Sequence, residues 1–310
     1  MMKYPIFLLL AFSLLLMGCE SQKQNVVFDT PLSGTIKISV DETFKPVIEE
    51  QIKMYELSYP GTKIIATYKP EIECIKDFFS DTSVRMVLVS RPLTRKEEKF
   101  LSDSLNYIPG SQPVASDAVA LIIHKNSKDS LFTLDGLKLA LSGKENQGKV
   151  FVFDGLSATS TVRYIRDSIL KGAGYDTSVV KAVRSSKEVL EYVASHENAV
   201  GFTGISWIGN KEDAEQVKIR EKVTLGYVRC DVCEGQPFVK PMQESMLTHR
   251  YPLVRKLYYM IHENYTGLGT GFTSFLKFER GQLIFRRSYL GPVMDLDIRN
   301  VQVNERIPEN

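Results

Sequence analysis

Short runs rich in β-branched and aromatic residues alternate along this chain with segments whose apolar residues recur at helical spacing. Residues 35–40 (TIKISV) read as a strand, and Phe44, Val47, Ile48, Ile52 and Tyr55 then recur on one helical face. Residues 63–68 (KIIATY) give a second strand and 71–79 a short helix. Residues 84–89 (VRMVLV) are nearly continuous in apolar character, as a parallel strand buried on both faces requires. Thr94 and Glu97 stand three apart as a capping box, and so do Ser185 and Glu188. Residues 114–124 (VASDAVALIIH) form a longer strand, able to pass between two lobes. The alternation continues with a helix at 133–141, a strand at 150–153, a helix at 161–170 and a strand at 199–203. A return strand is expected at 223–229 and helices at 252–264, 272–278 and 282–287. Repeated strand–helix alternation predicts an α/β fold with mainly parallel sheets.

The first residues belong to a different class of segment. Lys3 precedes an apolar run, residues 6–17, broken only by Ser13. A bilayer-spanning helix needs about 20 residues, so this run is a signal peptide rather than a membrane span. Its end, Leu16-Met17-Gly18-Cys19, resembles a bacterial lipobox, in which Cys19 becomes the first residue and is lipidated. The expectation is a signal peptide over 1–18, a lipidated tether over 19–32, and a location in the cell envelope, anchored on the periplasmic or extracellular side.

Composition adds exclusions. The 310 residues include 39 Lys plus Arg and 37 Asp plus Glu, a formal charge of +2, so no broad basic surface for nucleic acid is expected. Length beyond a single core favours two lobes. The four histidines lie in no metal-ligand spacing, and there is no nucleophile elbow or P-loop, so neither a metal nor a cofactor is expected. Cys230 and Cys233 form a CxxC, open to an incidental, disulfide, or metal or redox reading. The Gly267–Gly271 run reads as a loop between two helices.

The chemistry points to binding. Three polar loops follow strands and open helices: Asp41-Glu42-Thr43, Ser90-Arg91 and residues 157–161. Helix N-termini offer unpaired N–H groups and a partial positive charge, Ser and Thr add hydroxyls, and Arg adds a planar fork. In open α/β sheets, ligands sit beyond the carboxyl ends of the strands.

These loops, in order and spacing, resemble the phosphate-binding lipoproteins of ABC phosphate importers, which have the type II periplasmic-binding-protein fold. The matching pieces are Thr43-Phe44-Lys45-Pro46-Val47, Ser90-Arg91-Pro92-Leu93-Thr94, Ala115-Ser116-Asp117-Ala118, the 157–161 loop and Ala199-Val200-Gly201-Phe202. The C-terminal set is Tyr251-Pro252-Leu253-Val254-Arg255, Gly281-Gln282-Leu283-Ile284 and Gly291-Pro292. The resemblance implies two lobes joined by two crossing strands, with lobe I taking residues 33–117 and 234–310 and lobe II residues 118–233. It implies a non-catalytic, monomeric receptor for phosphate or a similar small anion, serving an ABC importer permease from a lipid anchor. Its ligand-binding residues would be Thr43, Phe44, Ser90, Arg91, Asp117 and, from the loop, Ser157, Thr159, Ser160 and Thr161, in either of two registers. A sensor of another anion without transport, and a phosphoester hydrolase on the same fold, are the alternatives. The chain departs from the pattern at three places. Arg91 replaces an Asp that accepts a hydrogen bond from protonated phosphate, the loop glycine is Ala158 or Ser160, and no Arg precedes the loop. Arg91, Arg85 and Arg163 are candidate replacements for that Arg, and Asp117 for the acceptor.

Overall fold

The computed structural model describes residues 29–294 apart from 106 and 146, so Cys19, the signal peptide and most of the tether lie outside it. The strands are β1 (Ser33–Asp41), β2 (Gly61–Lys69), β3 (Val84–Val89), β4 (Gly110–His124), β5 (Leu131–Phe132), β6 (Val150–Phe153), β7 (Val180–Ala182), β8 (Ala199–Gly204), β9 (Val223–Leu225), β10 (Tyr227–Arg229), β11 (Phe238–Val239), β12 (Val254–Ile261) and β13 (Gly291–Pro292). The helices are α1 (Lys45–Ser58), α2 (Glu71–Ser80), α3 (Arg95–Leu105), α4 (Leu134–Leu141), α5 (Ser160–Ser168), α6 (Ser186–Val193), α7 (Ala214–Ile219), α8 (Gln243–Leu247), α9 (Leu268–Lys277) and α10 (Glu279–Arg287).

The main sheet runs β2-β1-β3-β12-β4-β8-β6-β7, and a second, small sheet runs β11-β10-β5. The outer strands pair in parallel: β1 with β2 and β3 in one lobe, β6 with β7 and β8 in the other. Between them lie the antiparallel members, β12 and β4. The first half of β4 pairs with β12 and its last residues pair with β8 and β9, so one strand serves both lobes. Residues 114–123 of β4 are all buried, which explains the unbroken apolar run there. A core of aliphatic and aromatic side chains extends through both lobes. A smaller one, including Cys74, Phe78, Leu101 and Met260, fills the space beneath α2 and α3.

The box at Thr94 closes in both directions, while at Ser185 only the N-cap bond forms, because the Glu188 carboxylate turns to the Arg184 amide. The Thr94 amide donates to Glu97 Oε2 at 2.7 Å, and the Glu188 amide donates to Ser185 Oγ at 3.3 Å.

Three expectations need correction. Residues 254–261 are a strand, not a helix. The segment VRKLYYMI is β-branched and aromatic, and its place between β3 and β4 satisfies its backbone on both sides. The expected return strand at 223–229 breaks at Gly226 into β9 and β10, which belong to different sheets. A Cβ at Gly226 would lie 2.9 Å from the Phe132 ring, so a side chain there would collide. The passage back to β12 is made by residues 240–253, through α8.

The third correction concerns the glycine-rich run, which follows a strand and opens α9. Its amides are taken by carboxylates of the protein: Leu268 N donates to Asp29 Oδ2 at 2.6 Å, Gly269 N to Glu263 Oε1 at 2.9 Å and Thr270 N to Glu263 Oε2 at 2.7 Å. Arg85 joins both acids, at 3.1 Å from Asp29 and 3.0 Å from Glu263. The chain is therefore docked on its own lobe from residue 29 onward, inside the stretch read as tether. Cys230 and Cys233 form a disulfide after β10, which decides among the three readings of that motif.

Glu263 is fully buried, and its removal would strand two amides and weaken the hold on Arg85. Glu263→Ala is expected to cost about 3 kcal/mol, the lower end for breaking a buried charge pair. Urea denaturation checks it through a lowered midpoint with unchanged slope.

Candidate functional site

The carboxyl ends of β1, β3 and β6 converge where the lobes meet. β1 ends at Asp41, after which Thr43 and Phe44 turn into α1; both are buried. The Thr43 amide donates to Asp41 Oδ1 at 3.2 Å. β3 is followed by Ser90, whose amide and hydroxyl both donate to Glu71 Oε1, at 2.9 and 2.8 Å. β6 is followed by Asp154, which accepts from Thr159 Oγ1 at 2.8 Å. Thr159 also caps α5, and Ser160 and Thr161 open that helix, fully buried.

Contacts from the two lobes close on each other here. Thr43 Oγ1 and Ser160 Oγ share a hydrogen bond of 3.3 Å. Arg163, on the first turn of α5, donates from Nε to Glu71 Oε2 at 2.6 Å and from Nη2 to Ser90 Oγ at 2.8 Å. Arg255 and Asp117 stand directly opposite each other across β12 and β4. The pair is closed by Nε donating to Asp117 Oδ2 at 2.9 Å, with both side chains almost wholly buried. Arg255 Nη1 reaches Ser160 Oγ at 2.9 Å, and its guanidinium carbon lies 5.2 Å from the centre of the Phe44 ring. Arg255 Nη2 has no hydrogen-bond partner.

Beside this cluster, Glu42 of the first lobe accepts from the amide and hydroxyl of Ser186, at 3.2 and 2.8 Å. It thereby caps α6 of the second lobe. Ile72 N donates to Ala158 O at 3.2 Å, tying α2 to the loop before α5.

The carboxyls divide by environment. Burial pushes Asp41 up to about 7, reinforced by the Glu71 charge and opposed by Arg255. Burial likewise raises Asp117 against the pull of Arg255, and Asp154 against the Thr159 hydroxyl. Burial raises Glu71 too, but the Arg163 fork and Ser90 outweigh it and hold it below its ordinary value. Burial pushes Glu42 up to about 7, against its bonds to Ser186.

Of the residues expected from the sequence, Thr43, Phe44, Ser90, Asp117, Thr159, Ser160 and Thr161 gather at this junction. Between the two registers of the loop, 159–161 is the buried one, and Ser157 is exposed. Arg91 lies beside Ser90 but forms a two-pronged pair with Glu97, 2.7 Å on each side, which holds that carboxyl down at about 2. Of the three arginines considered as replacements, Arg163 is at the junction, Arg91 at its edge, and Arg85 is away from it against Asp29 and Glu263. Four participants were not foreseen: Arg255, Glu71, Asp154 and the bridging role of Glu42. Asp154 carried a signal, an acid directly after an apolar strand. Arg255 carried one only once residues 254–261 are read as a strand, where 255, 257, 259 and 261 face one side.

A family model described as the PBP superfamily domain matches residues 27–278. The chain belongs to the PBP superfamily. Among curated PBP-like relatives is the phosphate-binding protein PstS of Pseudomonas aeruginosa PAO1. It is 25% identical over 258 residues, covering 75% of this chain and 73% of that protein. Among solved structures is a Clostridium perfringens protein assigned as a phosphate ABC transporter substrate-binding protein, with bound phosphate. It has a TM-score of 0.67 and 21% identity, over 84% of this chain and 100% of that one. An ABC-type phosphate transport receptor from Vibrio cholerae matches with a TM-score of 0.60 and 17% identity, over 83% and 99% of the two chains. These likenesses establish for this PBP chain the two-lobed fold found above.

Glu42 links the lobes and titrates near neutrality, which fixes the sign of a pH effect. Its carboxyl is raised in the folded protein, so the folded form holds the proton more tightly than the unfolded chain. The stability that this confers is fully present below the ordinary carboxyl range and is lost as pH rises to about 7. Thermal unfolding followed from acid to neutral pH is expected to show a falling melting temperature. Glu42→Gln is expected to show a shallower fall over that window.

Proposed function

We propose that this chain is an extracytoplasmic substrate-binding lipoprotein. In this reading it captures an inorganic oxyanion, phosphate foremost, between its lobes and delivers it to an ABC importer permease. The carrying observation is the convergence of two guanidiniums, three hydroxyls and a helix N-terminus, contributed by both lobes, at the carboxyl ends of β1, β3 and β6. Hydroxyls and N–H groups of this kind hold a tetrahedral anion from several sides, and Arg supplies a fork. The names of the Pseudomonas, Clostridium and Vibrio relatives point to the same ligand.

Each side chain has a part in this proposal. Thr43, Ser90 and Ser160 donate hydroxyls, and the α5 amides near Thr161 add N–H groups. Arg163 and Arg255 supply the charge that an Arg before the loop supplies in the resembling family. Asp117 holds Arg255 in place across the strands. Arg91 and Phe44 line the edge and the floor. Lobe I is proposed to take residues 33–117 and 234–310 and lobe II residues 118–233, with Cys19 carrying the lipid anchor outside the described residues.

Bringing the lobes together removes water and strengthens each of these bonds. Trp207, the chain's one tryptophan, lies in the turn that follows β8 and borders a groove of about 630 Å³ between α1, α6 and α7. Its fluorescence is placed to report the approach of the lobes.

Calorimetry with inorganic phosphate tests the reading. Phosphate is expected to bind, and Arg163→Ala to weaken it roughly tenfold to a hundredfold, the worth of a charge-assisted hydrogen bond. Heat from another anion with none from phosphate would move the ligand class. Since the bonds are buried, affinity is expected to change little between low and physiological salt. A steep decline, measured by the same titration, would contradict a buried site.

A further inference from the structure

The ionisable groups at the junction do not balance. Four carboxylates, Asp41, Glu71, Asp117 and Asp154, meet two guanidiniums, Arg163 and Arg255. Each guanidinium is already paired, Arg163 with Glu71 and Arg255 with Asp117. Asp41 and Asp154 have no cation at hydrogen-bond distance. Asp41 accepts from the Thr43 amide and Asp154 from the Thr159 hydroxyl, and the second oxygen of each is buried with no hydrogen-bond partner among the described residues. With every group ionised, an entering anion would meet a surplus of negative charge in a site shielded from water, where repulsion is strong. Neighbouring buried carboxyls relieve such a surplus by keeping a proton.

Resting on the oxyanion reading above, we propose that this site takes its anion together with a proton, and that Asp41 is the residue that shares that proton with the ligand. Asp41 is the better placed of the two acids. It sits at the end of β1, next to Thr43, and its free oxygen is in the same buried cluster as Ser160 and Arg255. Its electrostatic neighbours are Glu71 and Cys74 from α2, Asp154 and Ser160 from the β6–α5 connection, and Arg255 from β12. Arg163 and Asp117 act on it through their own partners, Glu71 and Arg255. Of these neighbours only Arg255 is a cation, and burial adds to the surplus, so Asp41 holds its proton up to about neutrality.

The proton balance is simple. A monobasic oxyanion brings its own proton, and its O–H donates to Asp41 Oδ2. A dibasic oxyanion meets protonated Asp41, whose O–H donates to a ligand oxygen; below neutrality Asp41 already holds that proton, and above it the proton is drawn from solvent. Both routes end with one proton held between Asp41 and the anion. Sulfate, which carries no proton near neutrality, has only the second route. The Asp that accepts from phosphate in the resembling family is Arg91 here, turned to Glu97, so in this chain the proton-dependent contact moves from the end of β3 to the end of β1.

Calorimetry on the full chain decides it, with phosphate and with sulfate, from pH 6 to 9 and in two buffers of different ionisation enthalpy. Wild type is expected to take up about one proton on binding sulfate well above neutrality, and to release protons on binding phosphate at pH 6, where the ligand and Asp41 bring two between them. Its sulfate affinity is expected to fall about tenfold per pH unit above neutrality, the linkage for one proton. Asp41→Asn, whose amide donates without titrating, is expected to flatten the sulfate profile while still binding phosphate. Equal pH slopes in wild type and variant, or neither proton uptake with sulfate above neutrality nor proton release with phosphate at pH 6, would overturn the proposal and leave oxyanion binding standing. If the variant does not fold, the proton count on wild type decides alone. Failure of both anions to bind at any pH would overturn the oxyanion reading and the proposal with it.

Discussion

A guanidinium buried between two strands must have its charge answered inside the protein, and the answer given to Arg255 organises this molecule. Leaving such a charge unpaired costs several kcal/mol, so every partner around it is constrained. Asp117 answers it across the β4–β12 ladder, Ser160 from the other lobe, and the Phe44 ring from below. Those three partners belong to a crossing strand, to the start of α5 and to the turn after β1. A side chain rooted in one lobe thus sets where the helix N-terminus of the other lobe comes to rest.

The surrounding groups repeat the same logic at lower stakes. Glu71 gathers Ser90 from its own lobe and Arg163 from the other, and Glu42 caps a helix across the gap. Most bonds between the lobes involve a charged partner or a helix terminus, so they are directional, and apolar packing alone does not decide how the lobes meet. Directional bonds can be broken and remade as discrete states, while a packed core resists partial opening. Away from the junction, Asp29, Glu263 and Arg85 apply carboxylates and a guanidinium to a purely architectural end, capping α9 and pinning the start of the chain. The chemistry of the two clusters is similar. What separates them is that one lies where two lobes meet and the other within a single lobe.

Much of this was legible in the chain. The strand–helix alternation, the long strand shared by both lobes, the helix caps at Thr94 and Ser185 and the hydroxyl loops after β1 and β6 follow from period, length and local capping chemistry. Thr43, Ser90 and the 159–161 segment could be named because each closes a strand and opens a helix or turn. Residues 254–261 were misread because a short apolar run fits a buried strand and a helix face alike, and only the neighbours on either side choose between them. That single misreading hid Arg255, whose place on the ladder exists only in the strand. Glu71 and Asp154 were passed over because an acid opening a helix or closing a strand is ordinary until its surroundings are known.

What the residues by themselves determined is local: where the backbone can be helix or strand, which turns carry donors, and that the net charge is near zero. What the tertiary structure decided is pairing. The positions of Arg163, Arg85 and Arg91 along the chain do not say which acid each will meet, yet one meets Glu71 at the junction, one Asp29 and Glu263, and one Glu97. The same holds for the acids, whose affinity for protons depends on burial and on neighbours far along the chain, as Asp117 and Arg255 are at 138 positions apart. Charge interactions act through space, and distance along the chain carries almost no information about distance in the fold.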